Sequence, residues 1–160
     1  MCSRRGDWPN KSSEENVAAS RETESFRQVV VCILVVEDDV LLRLLVVEEL
    51  TRAGFQVCEA ADGEQAAAII EEQPAAFSML VTDIQMPGRL DGIQVAERMR
   101  TRFPAVPVLY TTGRPDVLAH VKNACPNEHV LEKPFAPEEL LALVRQLLAG
   151  KPSGEAGISP

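Results

Sequence analysis

Short apolar runs alternate with amphipathic stretches through the middle of the chain. The runs read VVVCILVV (29–36), FQVCEA (55–60), FSMLVT (77–82), VPVLYT (106–111) and HVLE (129–132). They are rich in β-branched residues and short enough to be strands. They lack the strict polar–apolar alternation of a half-exposed sheet, which suits strands covered on both faces. Helix-like stretches follow each run. The first spans Asp39 to Ala53 and stops at Gly54, suited to a left-handed cap. The second follows Asp62 and ends before Pro74, and the third starts at Asp91, an N-cap residue, and ends before Pro104. A fourth is expected near Asp116 to Asn123. The fifth opens with Pro137, Glu138 and Glu139, a first turn that suits the helix dipole, and carries Leu140, Leu143, Val144 and Leu147 on one stripe. Five strand-then-helix units predict an α/β fold with a doubly wound parallel sheet and helices on both faces. In such a sheet the ligand site lies beyond the carboxyl ends of the strands.

The flanks read differently. Residues 1–28 are polar without a hydrophobic period, and the spacing predicts a disordered N-terminal tail. Residues 150–160 are rich in Gly, Pro and Ser and are expected to form a flexible C-terminal tail. The folded part is expected to span 29–149, leaving no room for a DNA-binding output domain. The net charge of −8 argues against a sequence-independent grip on nucleic acid. No apolar run approaches the roughly 20 residues of a membrane helix, and no secretory signal follows Arg4 and Arg5. Cys2, Cys32, Cys58 and Cys125 form no CxxC pair, and His120 and His129 complete no zinc-like spacing. Reduced thiols in a cytoplasmic protein are the expectation.

The chemistry gathers at the strand ends. The first run leads into Glu37, Asp38 and Asp39, the third into Thr82 and Asp83, the fourth into Thr111, Thr112 and Gly113, and the fifth into Glu132, Lys133 and Pro134. The second, near Glu59 to Asp62, adds nothing obvious. Taken singly, each residue has an ordinary explanation: a loop-starting Asp, a turn Thr, a solvated Lys. Taken together, converging acids repel one another unless a cation sits among them, and a hard divalent ion takes oxygen ligands. A carboxylate there can attack phosphorus and form an acyl phosphate, with a metal, an ammonium and a hydroxyl stabilising the phosphoryl oxygens.

The segments ILVVEDD, LVTDIQMPG, VLYTTG and LEKPF, in this order and with this spacing, resemble the receiver domains of two-component response regulators, over about Val31 to Leu148. The resemblance implies a flavodoxin-like five-stranded sheet in the order 2-1-3-4-5. It implies Asp83 as phosphoacceptor and Glu37 and Asp38 as the acidic pair. Asp38, Asp83 and the backbone carbonyl of Gln85 would ligate magnesium (or manganese), with Glu37 acting through water. Thr112, beside Gly113, takes the hydroxyl role ahead of Thr111, and Lys133 is the family's lysine, with a typically cis bond to Pro134. The implied partners are a histidine kinase or histidine phosphotransfer domain and a downstream protein target. Nucleic acid and membrane insertion are not implied, and a homodimer is left open. The implied activity is self-directed phosphorylation and dephosphorylation only.

Three departures stand out. Val130 occupies a position that is usually aromatic, so signal output is expected to run through the backbone of the fourth strand and helix, or through Tyr110. The loop MPGRLDG is one residue longer than the common form. The first helix carries Val40, Leu41, Leu42, Leu44, Leu45, Val46, Val47 and Leu50, more than one helical face. A helix wedged between two neighbours is the first expectation, and a docking patch for a helical partner the second. Two other functions compete. An aspartyl-phosphate phosphatase of the haloacid dehalogenase type needs an Asp where Gln85 stands. A receiver-like binding module that is never phosphorylated would have lost the acidic pair.

Overall fold

A computed structural model of the chain describes residues 31–72, 77–114, 116 and 127–150. Five strands are present, β1 (Cys32–Val36), β2 (Gln56–Ala60), β3 (Met79–Asp83), β4 (Val108–Thr112) and β5 (Glu128–Glu132). The helices are α1 (Val40–Arg52), α2 (Gly63–Glu72), α3 (Gly92–Arg102) and α4 (Pro137–Ala149). All neighbouring strands pair in parallel, in the order β2-β1-β3-β4-β5. This is the expected doubly wound sheet. The two tails, the start of the first run, the helix expected at 116–123, Cys2, Cys125 and His120 lie outside the described residues, apart from Asp116, in a turn, and Gly150.

The apolar runs segregate as a parallel sheet requires. Successive side chains of β1, β3 and β4 point to opposite faces, and both faces are covered. One core joins Leu34, Val36, Leu80, Val108 and Tyr110 to α2 and α3 through Ala66, Ile70, Val95 and Met99. The other joins Ile33, Val35, Val81 and Leu109 to α1 and α4 through Val46, Leu50, Leu140 and Val144. Each fully buried Leu or Val contributes about 1.5–3 kcal/mol. The edge strand β2 is more open, with Gln56 and Glu59 exposed. The fourth strand begins two residues later than the apolar run suggests, because Pro107 has no N–H for the ladder; its carbonyl accepts from Leu80 instead, at 3.1 Å.

Caps set the helix starts. Asp39 Oδ1 accepts from the amides of Leu41 and Leu42, both at 2.9 Å. Asp91 and Gln94 form a reciprocal capping box at the start of α3. Gly54, with φ of 94°, follows the last turn of α1. The Lys133–Pro134 bond is cis.

The wedged-helix expectation for α1 fails. Val46 and Leu50 face the core, but Val40, Leu41, Leu44 and Leu45 are 52–73% exposed. Among the described residues, the helix that packs most closely against α1 is α4. The four exposed residues form an outward stripe beside the β1 exit, while Leu42 and Val47 are partly buried against the core. Among the described residues, no helix is long and apolar enough to cross a membrane.

Candidate functional site

Backbone hydrogen bonds extend the ladder past the strand ends and hold the exit residues in register. Glu37 N–H donates to the Ala60 carbonyl at 3.2 Å, Ile84 N–H to Thr111 at 3.0 Å, and Lys133 N–H to Thr112 at 2.8 Å. The residues that follow β1, end β3 and follow β5 therefore meet on one rim.

There the ammonium of Lys133 bridges two carboxylates. Its Nζ lies 2.5 Å from Asp83 Oδ2, and 2.9 and 3.2 Å from the two oxygens of Glu37. Glu37 and Asp83 are buried, whereas Asp38 is exposed. Carboxylate oxygens of Glu37, Asp38 and Asp83 lie within 4.8 Å of one another. Asp83 Oδ1 accepts from the backbone amide of Gln85 at 2.9 Å, which leaves Oδ2 facing the lysine. Burial pushes the Glu37 carboxyl above the usual carboxylate range, against the pull of Lys133. Burial also works against the Lys133 charge, but its bonds to Asp83 and Glu37 outweigh this and raise its pKa. Two of the three acids share one ammonium and the exposed Asp38 lies beside them, a donor set of hard oxygens that suits a divalent ion such as magnesium.

Thr112 is fully buried and its Oγ accepts from the amide of Arg114 at 3.1 Å, so its hydroxyl sits at the mouth of the loop leaving β4. Thr111 is also buried, and its carbonyl holds Ile84. Arg114 lies outside the cluster, in an exposed ion pair with Asp116. Tyr110 sits opposite Val130 in the ladder and donates from its hydroxyl to Glu128 at 3.1 Å, where Arg100 also pairs. Tyr110 and Thr112, two residues apart on β4, share one strand face.

Two features escaped the reading of the residues alone. The β2 end does contribute: Glu59 pairs with Arg43, which itself reaches the acidic loop. The lengthened loop after Asp83 is pinned from α2, where Glu64 accepts from the Arg89 amide at 2.6 Å. In each, a residue that looks like ordinary helix surface in the sequence, Arg43 or Glu64, reaches a residue on another element or loop. Cys32 and Cys58 are free, with sulfurs 3.8 Å apart, and burial together with this neighbour pushes the Cys32 thiol up to about 11.

Residues 33–145 match the family model described as the response regulator receiver domain. The chain is 34% identical over 117 residues to the response regulator receiver protein CpdR of Brucella abortus (strain 2308), covering 72% of this chain and 95% of that protein. It is 36% identical over 113 residues to the transcriptional regulatory protein YrkP of Bacillus subtilis (strain 168), covering 70% of this chain but only 47% of that one. The chain thus spans about half the length of several transcriptional regulators that it matches. Among solved structures, a response regulator receiver protein from Sinorhizobium medicae WSM419 superposes with a TM-score of 0.69 at 35% identity, covering 76% of this chain and 97% of that one.

Proposed function

Since the chain belongs to the response regulator receiver domain family, we propose that it accepts a phosphoryl group on Asp83 in a magnesium-dependent phosphorelay and signals by protein contact or serves as a phosphate shuttle. The observation that carries this reading is the bridge from Lys133 to Asp83 and Glu37, with Asp38 alongside. On this reading Asp38, Asp83 and the carbonyl of Gln85 would hold the ion, with Glu37 acting through water. The ion, when bound, neutralises phosphoryl oxygens as charge moves between the attacking and leaving groups. Asp83 Oδ2 forms the new P–O bond while the bond from phosphorus to the donor breaks, its electron pair leaving with the donor. For a phosphohistidine donor this is a P–N bond. Lys133 shifts from its carboxylate pair toward a phosphoryl oxygen, and the Thr112 hydroxyl donates to another. Manganese, equally a hard oxygen-binding ion, would substitute.

Incubation of the full chain with acetyl phosphate and magnesium tests the reading by intact mass. One added phosphate is expected, absent in Asp83→Asn and absent with chelator. Phosphate gain that persists in Asp83→Asn would refute the assignment.

The exposed stripe on α1 lies beside this rim, and it supports docking of a helical donor, a histidine kinase or a histidine phosphotransfer domain. Leu44→Glu is expected to slow transfer from such a protein about fivefold to thirtyfold, since a central apolar anchor contributes on the order of 1–2 kcal/mol. The rate with acetyl phosphate, which needs no docking, should stay the same. Equal slowing with both donors would place the defect in the site, not in docking.

A further inference from the structure

Arg43 projects from α1 toward the loop that carries the acidic pair. Its Nη1 donates to the backbone carbonyl of Glu37 at 2.6 Å, and its Nε lies 3.3 Å from Glu59 Oε2 at the end of β2. The side chain is only 14% exposed. The same residue's backbone N–H closes the first turn on Asp39 at 2.9 Å. On its other side, the amide of Glu37 is held by Ala60. The carbonyl that Arg43 grips belongs to the peptide unit linking Glu37 to Asp38. Fixing that unit at its oxygen fixes the plane from which both carboxylates leave the chain.

We infer that Arg43 is a positioning residue for the cation, orienting Glu37 and Asp38 through the Glu37 carbonyl while Glu59 keeps its guanidinium in place. This rests on the reading of the site given above. Partners one step removed from a metal commonly govern its affinity about 10–100-fold by holding the ligands. A guanidinium suits the role because its planar fork serves a carbonyl and a carboxylate at once, which an ammonium cannot do with the same geometry.

The sign of the effect separates this role from a simple one. A cation beside an acidic cluster repels a second cation, so if Arg43 acted only as a charge, its removal would tighten magnesium binding. If it positions the acids, its removal weakens binding. The experiment uses the full chain, with magnesium affinity measured by titration calorimetry and folding followed by circular dichroism. A second readout needs no ion: amide exchange at Asp38 in chelator. Arg43→Met is expected to weaken magnesium binding about tenfold and to speed exchange at Asp38. The half-saturating magnesium for acetyl phosphate should rise by the same factor, with the maximal rate within about twofold. Affinity equal to or tighter than that of the unsubstituted chain overturns the role. Should Arg43→Met fail to fold, Arg43→Lys decides, because it keeps the charge: weaker binding upholds positioning and unchanged binding refutes it. If the unsubstituted chain takes up no magnesium, the site reading and the inference both fall. If it does and Arg43→Met matches it, only the positioning role falls.

Discussion

Lys133→Ala is expected to destabilise the ion-free protein by about 2 kcal/mol and to lose most of that deficit when magnesium is added. The lysine is the ammonium that bridges Glu37 and Asp83, both buried. Removing one partner of a buried ion group typically costs about 3–5 kcal/mol, because the charge left behind stays desolvated. The smaller figure reflects partial access of water, since the Lys133 side chain is 20% exposed and Asp38 opens the rim to solvent. A divalent ion supplies the missing positive charge and no longer competes with an ammonium for the same oxygens. Magnesium should therefore raise the melting temperature of the variant by more than it raises that of the unsubstituted chain. Thermal melts in chelator and in magnesium measure both quantities. Equal melting temperatures in chelator would mean that the bridge carries no stability. A smaller magnesium response in the variant would mean that the lysine and the ion do not share ligands.

Gly92→Ala is expected to cost about 3 kcal/mol or more and to slow phosphate gain from acetyl phosphate at least tenfold. Gly92 opens α3, and its amide donates to the Ile84 carbonyl at 3.1 Å. A Cβ there would fall on the carbonyl oxygen of Asp83, with the carbonyl carbon at 2.8 Å and Thr82 Oγ at 2.9 Å. The obstacle is backbone in a central strand, so relief requires moving either α3 or Asp83 itself. Gly113→Ala is the control, since its Cβ would meet nothing within 4 Å. Denaturant melts and the acetyl phosphate assay on both variants check the contrast. A folded Gly92→Ala protein with an unchanged rate would show that α3 can shift without disturbing the acceptor.

Gly92 also shows where a sequence becomes hard to read. Its neighbour Asp91 is legible as a cap from residue type alone, and the box with Gln94 bears that out. That Gly92 must lack a side chain depends on how closely α3 approaches β3, a distance no local pattern encodes. The same division runs through the molecule. The buried runs that became β1, β3 and β4 were legible because a central parallel strand is apolar on both faces. The strand-end acids, Thr112 and Lys133 were legible as a group because topology alone brings strand ends to one edge. Arg43 and Glu59 were not, since their pairing depends on the rotation of α1 about its axis. That rotation also decided which of eight apolar residues on α1 would be left outside. The pattern there contained enough apolar residues for two faces, and only packing could show that α4 covers one of them.

The bridge at Lys133 joins residues 96 positions apart, from Glu37, and 50 positions apart, from Asp83. Contacts so distant along the chain form late, because closing large loops must precede any reward from them. During synthesis the acidic pair and the acceptor leave the ribosome well before the lysine that separates their charges. Until β5 docks, the nascent chain holds three converging carboxylates without their counter-charge, and mutual repulsion opposes premature closure of the rim. On the reading proposed above, docking of the last strand would be the step that completes the rim, since it alone brings the lysine to the acceptor.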